Sequence, residues 1–275
     1  MSESFTVQNI DSVSHKKIVR YRQNSQCHLV DDALIQEVPV ALEYNGVAYT
    51  VMMCTPRDLD MFAVGFSLTE GIIDHDRDIH DINIQMSPDG ITLSIDIANR
   101  CINRLQEKRR TMAGMTGCGL CGTDQLAHVC RVQTPLESHT TFHLQKLDDA
   151  LNRLKRSQQL NQLTGSCHAA AYMNTHGELE ALFEDVGRHI ALDKLIGWVT
   201  KYHKQKGVVL VTSRASFEMV QKAAAGGVEI LCAISAATDM AVDLAERLNV
   251  TLCGYCRPGQ ANIYTHAERI LGLNQ

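Results

Sequence analysis

Five segments near the C-terminus alternate between two hydrophobic periods. Val208–Val211, Val228–Ile234 and Val250–Leu252 are short apolar runs, and between them Phe217–Ala225 and Met240–Leu248 repeat apolar residues at helical spacing. Strands separated by helices of this length cannot pair as hairpins, so the run specifies a parallel sheet with right-handed crossovers, an α/β fold. In such sheets ligands bind beyond the carboxyl ends of the strands. Three loops occupy that edge: Thr212-Ser213-Arg214, Ser235-Ala236-Ala237-Thr238 and Cys256-Arg257-Pro258-Gly259-Gln260. The first two precede helices, whose free N–H groups and dipole favour an anion, and their hydroxyls and Arg214 add donors suited to phosphate. Arg257 and Gly259 add a guanidinium and close backbone access. Taken singly, Ser213 and Thr238 read as helix caps and Arg257 as a solvated turn residue. Their convergence on one edge favours an anionic ligand such as a nucleotide or pyrophosphate.

Upstream, the pattern is of another kind. Residues 1–30 are charged and aperiodic and read as a polar tail. In residues 31–105, Val38–Tyr44 and Val47–Met53 flank Asn45-Gly46, a tight-turn dipeptide. Thr55-Pro56-Arg57-Asp58 offers a capping hydroxyl ahead of a helix with Leu59, Phe62, Ala63 and Phe66 on one face. Ile82–Met86 and Ile91–Ile97 alternate around Pro88-Asp89-Gly90. These elements predict a small α+β unit. From Arg104 the periodicity fails, and residues 106–130 read as a mobile, glycine-rich loop or linker leading to an α/β domain over 131–275. That domain opens with a helix over Lys146–Leu160 and a hairpin of Ala169–Asn174 with Leu179–Phe183 around Thr175-His176-Gly177. Asp185 is set to cap the helix that follows, with its stripe of Ile190, Leu195, Ile196 and Val199.

Composition narrows the partners. The 275 residues carry 26 Lys plus Arg against 31 Asp plus Glu, a formal net charge of −5. That balance excludes a broad surface for nucleic acid or acidic membrane, so any anion must be held by a local cluster. The N-terminus lacks the apolar core of a signal peptide, and the longest low-charge stretch, Ala223–Val242, is broken by Gly226, Gly227, Glu229 and Asp239; the expected location is the cytoplasm, with no membrane span. In a reducing compartment, ten cysteines point to thiol chemistry, metal binding or burial rather than a disulfide framework.

Two of those cysteines stand apart, in Thr116-Gly117-Cys118-Gly119-Leu120-Cys121-Gly122. Thiols two residues apart can form a disulfide, share a metal, or let one carry sulfur beside the other. The glycines leave little side chain to pack, which disfavours simple burial. Lys108, Arg109 and Arg110 form a solvated face or an electropositive approach that lowers a nearby thiol pKa. His128 and Cys130 could complete a zinc site. His176-Gly177-Glu178 with Cys253 and Cys256 offers a second zinc reading, the H-x-E and C-x-x-C pieces of nucleobase deaminases, although the proline expected before Cys253 is absent. Cys27, Cys54, Cys101, Cys167 and Cys232 show no ligand spacing.

Read together, GCGLCG (Gly117–Gly122), TGSCHAAA (Thr164–Ala171), EDVGRHIALDK (Glu184–Lys194), SRASFEMVQKAA (Ser213–Ala224) and GYCRPGQANIYT (Gly254–Thr265), with EVPVALEYNG and FAVGFSLTEGII, resemble the FdhD family of formate dehydrogenase accessory sulfurtransferases. The resemblance covers nearly the whole chain beyond the tail. It implies a cytidine-deaminase-like fold for the C-terminal domain, which accounts for the deaminase-like pieces without zinc. It also implies a sulfur carrier: Cys118 takes sulfur from a cysteine desulfurase as a persulfide, Cys121 acts as helper or second acceptor, and the sulfur passes to the molybdenum cofactor before insertion into formate dehydrogenase. By the same resemblance that cofactor is bis-molybdopterin guanine dinucleotide, for which GDP or GTP are mimics, and its binding stretch corresponds to Cys256, Arg257, Pro258, Gly259, Gln260 and Ala261. A cofactor with two similar ends invites a homodimer. The chain departs from the family pattern at Met115, Cys167, Ile190 and Ala237. A zinc-dependent deaminase-like enzyme and a non-catalytic cofactor chaperone are the alternatives.

Overall fold

The computed structural model describes residues 12–23, 27–112, 133–204 and 206–273. It begins with an antiparallel pair, β1 (Val13–Arg20) and β2 (His28–Ile35), where the sequence suggests a tail through residue 30. The alternation is hidden there because charges sit within the strands on both faces, Lys16 opposite Asp32 and Lys17 opposite Asp31.

Next come β3 (Val38–Tyr44) and β4 (Val47–Cys54), joined by Asn45 and Gly46 at φ 48° and 75°, the two positive angles such a turn needs. The Asn45 side chain donates to Ile97 O and accepts from Ile97 N–H, tying the turn to the following strands. With α1 (Leu59–Thr69), β5 (Ile79–Ser87) and β6 (Gly90–Ile97) they form a four-stranded sheet, order β4-β3-β6-β5, packed on one helix. Val40, Leu42, Phe62, Phe66, Leu93 and Ile95 make its core. Then α2 (Asn99–Met112) runs on beyond Arg104, where the sequence suggests a loop. Leu-Gln-Glu-Lys-Arg-Arg are strong helix formers that carry no apolar stripe, so propensity rather than periodicity is the signal there.

The second unit contains β7 (Phe142–His143), α3 (Leu147–Ser157), α4 (Gln159–Thr164), β8 (His168–Asn174), β9 (Leu179–Asp185), α5 (Arg188–Lys201), β10 (Gly207–Val211), α6 (Phe217–Ala225), β11 (Ile230–Ala233), α7 (Asp239–Arg247), β12 (Thr251–Arg257), β13 (Gln260–Ile263) and β14 (Ile270–Leu271). Its main sheet has the order β13-β12-β11-β10-β8-β9. β10, β11 and β12 are parallel, as the alternating pattern requires, but β8 runs antiparallel to β10 and β13 antiparallel to β12, so the sheet is mixed. Leu192, Val211, Val220, Leu231 and Leu252 belong to the core under α5, α6 and α7. Leu154, Met173, Leu210 and Cys232 belong to the core on the α3 side.

The two units are joined through α1 and α5. A Cβ on Gly65 would strike the backbone carbonyl of Asp193 and stand 2.8 Å from the Gly197 nitrogen; one on Gly197 would strike the carbonyl of Met61 and stand 3.0 Å from the Gly65 nitrogen. Only two glycines let the helices meet backbone to backbone. Buried charges lie beside the crossing. Lys194 and Asp185, both fully buried, pair at 2.7 Å, and the same ammonium donates to Thr55 O at 3.1 Å. Asp185 also accepts from the Thr55 and Gly187 N–H groups. Neither Thr55 nor Asp185 caps a helix as the sequence suggests: α1 starts from Asp58 in a left-handed conformation and α5 from Gly187. At the residue before Lys194, Lys222 binds Asp193 at 2.8 Å and the Thr69 hydroxyl at 2.9 Å. Burial pushes the Asp185 and Asp193 carboxyls up, against the pull of Lys194 and Lys222 respectively.

Candidate functional site

At the carboxyl edge of the main sheet, the loops after β10 and β11 lie side by side. Ala215 N–H donates to Ala236 O at 3.0 Å and Thr238 N–H to Ala215 O at 3.1 Å, while Ala215 and Ala237 form a parallel bridge. This zipper brings the N-termini of α6 and α7 together. Their cap positions, Ser216 (φ −91°) and Thr238 (φ −97°), have the extended backbone of an N-cap, yet neither side chain makes a capping hydrogen bond. Ser216 Oγ is buried with no partner among the described residues. A buried hydroxyl without a partner is costly, and one aligned with two helix N-termini is a ready donor for an oxyanion. Arg214 is exposed beside it, whereas Ser213 is buried and donates to Arg214 O at 3.0 Å. Thr212 is engaged with β8, its hydroxyl accepting from Ala169 N–H at 2.9 Å.

The start of α5 shares this edge, because Asp185 ends β9 and Gly187 caps the helix. His189 Nε2 stands 2.7 Å from Glu218 Oε2. The close contact with His189 holds the Glu218 carboxyl below its ordinary range, against burial, with the nearby charges of Arg188 and Lys222 acting the same way. Burial, then Arg188 and His189, push the His168 imidazole down. Positive potential from Arg188 and Arg214 therefore flanks the helix N-termini. Cys167, half-buried on the same side, is pushed up to about 11 by burial and stays a neutral thiol.

The third loop is engaged with the protein itself. Arg257 Nη1 donates to Cys256 O at 2.9 Å and also to Ile234 O. Gly259 N–H points at the Asp148 carboxylate, 2.9 Å and 3.0 Å from its two oxygens. The guanidinium and amide that the sequence offers to an anion thus hold a carbonyl pair and a carboxylate, and a ligand would exchange with them. Pro258, Gly259 and Gln260 are exposed, and Ala261 is half-buried. Cys256 points inward, 1% exposed, because the register shift between Gly254 and Arg257 turns it to the same side as Cys253. Its thiol and that of Cys253 hydrogen-bond to Cys232, whose own thiol is held far above its ordinary value by those two bonds and by burial.

Cys118 and Cys121, and the zinc candidates His128 and Cys130, lie outside the described residues. The deaminase-like pieces are separated. His176 follows β8, whose end at Asn174 pairs with the start of β10, while Cys256 lies past the end of β11 at the opposite edge. Among the described residues, no three His, Cys, Asp or Glu side chains converge in a metal-holding arrangement. Sequence reasoning passed over Ser216, Arg188 and His189. Ser216 comes just after the Thr212–Arg214 loop already marked, whereas the start of α5 reaches that edge only because the β8–β9 hairpin joins the main sheet.

A family model described as the FdhD/NarQ family matches residues 35–271. In three dimensions the chain resembles the crystal structure of a protein assigned as a formate dehydrogenase accessory protein from Desulfotalea psychrophila. The TM-score is 0.74 and the identity 25%, covering 94% of this chain and 99% of that one. No helix among the described residues is long and apolar enough to cross a membrane.

Proposed function

The chain belongs to the FdhD/NarQ family, and from that premise we propose that it serves formate dehydrogenase maturation as a cytoplasmic sulfur carrier. The Cys118 thiolate attacks the terminal sulfur of a cysteine desulfurase persulfide, giving a Cys118 persulfide and returning the desulfurase thiol. Cys121, within reach in sequence, then attacks Cys118, and the sulfur leaves as hydrosulfide while the two cysteines close a disulfide. The hydrosulfide goes to the molybdenum of bis-molybdopterin guanine dinucleotide, which the protein holds as cargo before insertion into the dehydrogenase. In this reading residues 106–130 carry the thiols, residues 131–275 are the cytidine-deaminase-like, cofactor-holding domain, residues 31–105 support it, and a homodimer matches the two nucleotide ends of the cargo.

The observation that supports the cargo half is the uncommitted, buried Ser216 hydroxyl at the N-cap of α6, whose loop is zipped to the one that opens α7, with Arg214 two residues before it. Such a set fits the phosphates of a guanine nucleotide. Residues 256–261 border it, and Arg257 and Gly259 join by exchanging their present partners.

Intact mass after incubation with a desulfurase and cysteine tests the sulfur half. An added sulfur is expected on the wild type and absent from Cys118→Ala; equal addition to both would remove Cys118 as the carrier. GDP or GTP is expected to raise the melting temperature, with a smaller rise for Arg257→Ala. Formate dehydrogenase activity in cells that carry Cys118→Ala separates a carrier from a chaperone that only docks the enzyme, since the chaperone would need neither cysteine.

A further inference from the structure

β12 runs on past the end of β11 and changes character at Tyr255. Its N–H donates to Ser235 O at 3.0 Å, so the residue lies against the loop that leads into α7. Its φ is +51°, a conformation that an aromatic residue adopts at a cost and glycine adopts freely. The register shift between Gly254 and Arg257 surrounds it, and Cys253 and Cys256 on either side point into the core while Tyr255 is 46% exposed. A glycine would make the same backbone bond without strain, whereas the tyrosine takes the strained angle and leaves nearly half of its surface open.

The surroundings say what the exposed ring is for. Gly254, just before it, lies so close under the α7 loop that a Cβ there would be 3.3 Å from Ser235 O and 3.4 Å from Ala237 N. Tyr255 therefore borders the loop that ends at Thr238, whose side chain makes no capping bond, and Arg257 follows two residues on. Strain kept at the rim of a binding edge is a mark of function, and an aromatic face beside phosphate donors is what a nucleotide base stacks on.

We propose that Tyr255 is the stacking platform for the guanine base of the nucleotide whose phosphates lie at the N-termini of α6 and α7, an assignment that rests on the cargo reading above. The strained backbone turns the aromatic side chain out to the edge, and the base covers it when the ligand binds. Contact is through the ring face, so the hydroxyl is dispensable and the aromatic system is not.

Titration calorimetry with GDP on the full chain tests this, alongside the melting temperature of the ligand-free protein. Tyr255→Phe is expected to bind within about threefold of the wild type, whereas Tyr255→Leu and Tyr255→Gly bind about tenfold more weakly, as the loss of one stacked base dictates. Tyr255→Gly relieves the positive φ and so melts at or above the wild-type temperature even as it loses ligand, a combination that a merely structural tyrosine would not give. If the wild type binds GDP and the Leu and Gly variants bind it within about twofold as well, the stacking assignment is wrong and the cargo reading stands. If the wild type does not bind GDP, the nucleotide reading fails and takes this assignment with it.

Discussion

Replacing Gly197 with alanine puts a methyl group where the carbonyl oxygen of Met61 already lies, within 3.0 Å of the Gly65 nitrogen as well. Both obstacles are backbone, so no rotamer change relieves them and the two helices must separate. Overpacking of a core costs about 1–3 kcal/mol, and a clash against main chain belongs at the upper end. Alanine recovers about 1 kcal/mol of helix propensity over glycine. The net expectation is a loss of about 2 kcal/mol, or about 4–8 °C in melting temperature for a chain of this size. Trp198, the single tryptophan, is the next residue and reports the crossing by fluorescence, while far-UV circular dichroism reports the whole chain. Urea unfolding should show a lower midpoint with unchanged slope. Gly65→Ala acts on the same contact, so the double variant should lose less than the sum of the two. A Gly197→Ala protein as stable as the wild type, within about 0.5 kcal/mol, would refute the backbone-to-backbone crossing, since only a side-chain-lined interface could absorb the methyl group.

Lys194→Met strands the Asp185 carboxylate at a site with no exposed side-chain surface and should cost about 3–5 kcal/mol by denaturant unfolding, most of it recovered when Asp185→Asn is added; a loss below about 1 kcal/mol would show that the ion pair does not close the junction. For Glu218 the folded carboxyl is depressed by its close pairing with His189, so the pair stabilises the fold above the unfolded pKa and ceases to do so as pH falls through the folded one. His189→Ala should therefore lower stability at neutral pH and converge with the wild type in acid, which unfolding curves at a series of pH values will show. Asp148→Ala removes the only carboxylate recorded on Gly259 N–H among the described residues, and exchange of that amide measured by NMR should quicken while the amides of β10 are unchanged.

Much of the last third was legible because each of its signals is local. Phe217–Ala225 is the helix that the sequence marks, residue for residue, and Asn45-Gly46 makes the turn its two residue types require. What the sequence hides is long-range. Thr55 and Asp185 carry the composition of helix caps, yet they are spent on each other and on Lys194 across the junction of the two units. Glu184, beside Asp185, accepts from the Leu160 and Asn161 N–H groups and so holds the start of α4, a partner that no periodicity reveals. Ile190 packs into the N-terminal core rather than beside its helix neighbours. The antiparallel placement of β8 also escapes a pattern reading, since strands of either direction have the same alternation. At the candidate site, the edge and its loops were legible from topology. The hydroxyl left without a partner was Ser216 rather than Ser213, because only the fold decides which of two serines is buried against its own backbone.

The zipper between the two βα loops divides the edge into unequal halves. Bonded to each other through Ala215, Ala236 and Thr238, these loops offer their donors in fixed positions, so an incoming phosphate orders nothing new there. The hairpin of β12 and β13 is otherwise: its guanidinium and tip amide must first let go of Ile234, Cys256 and Asp148. Inorganic phosphate or pyrophosphate should then dwell on the rigid half alone, at modest affinity and without disturbing the hairpin. Only a ligand long enough to reach both halves, as a guanine nucleotide is, can offset the exchange, which makes the latched hairpin a length filter that favours a nucleotide over the free phosphate around it.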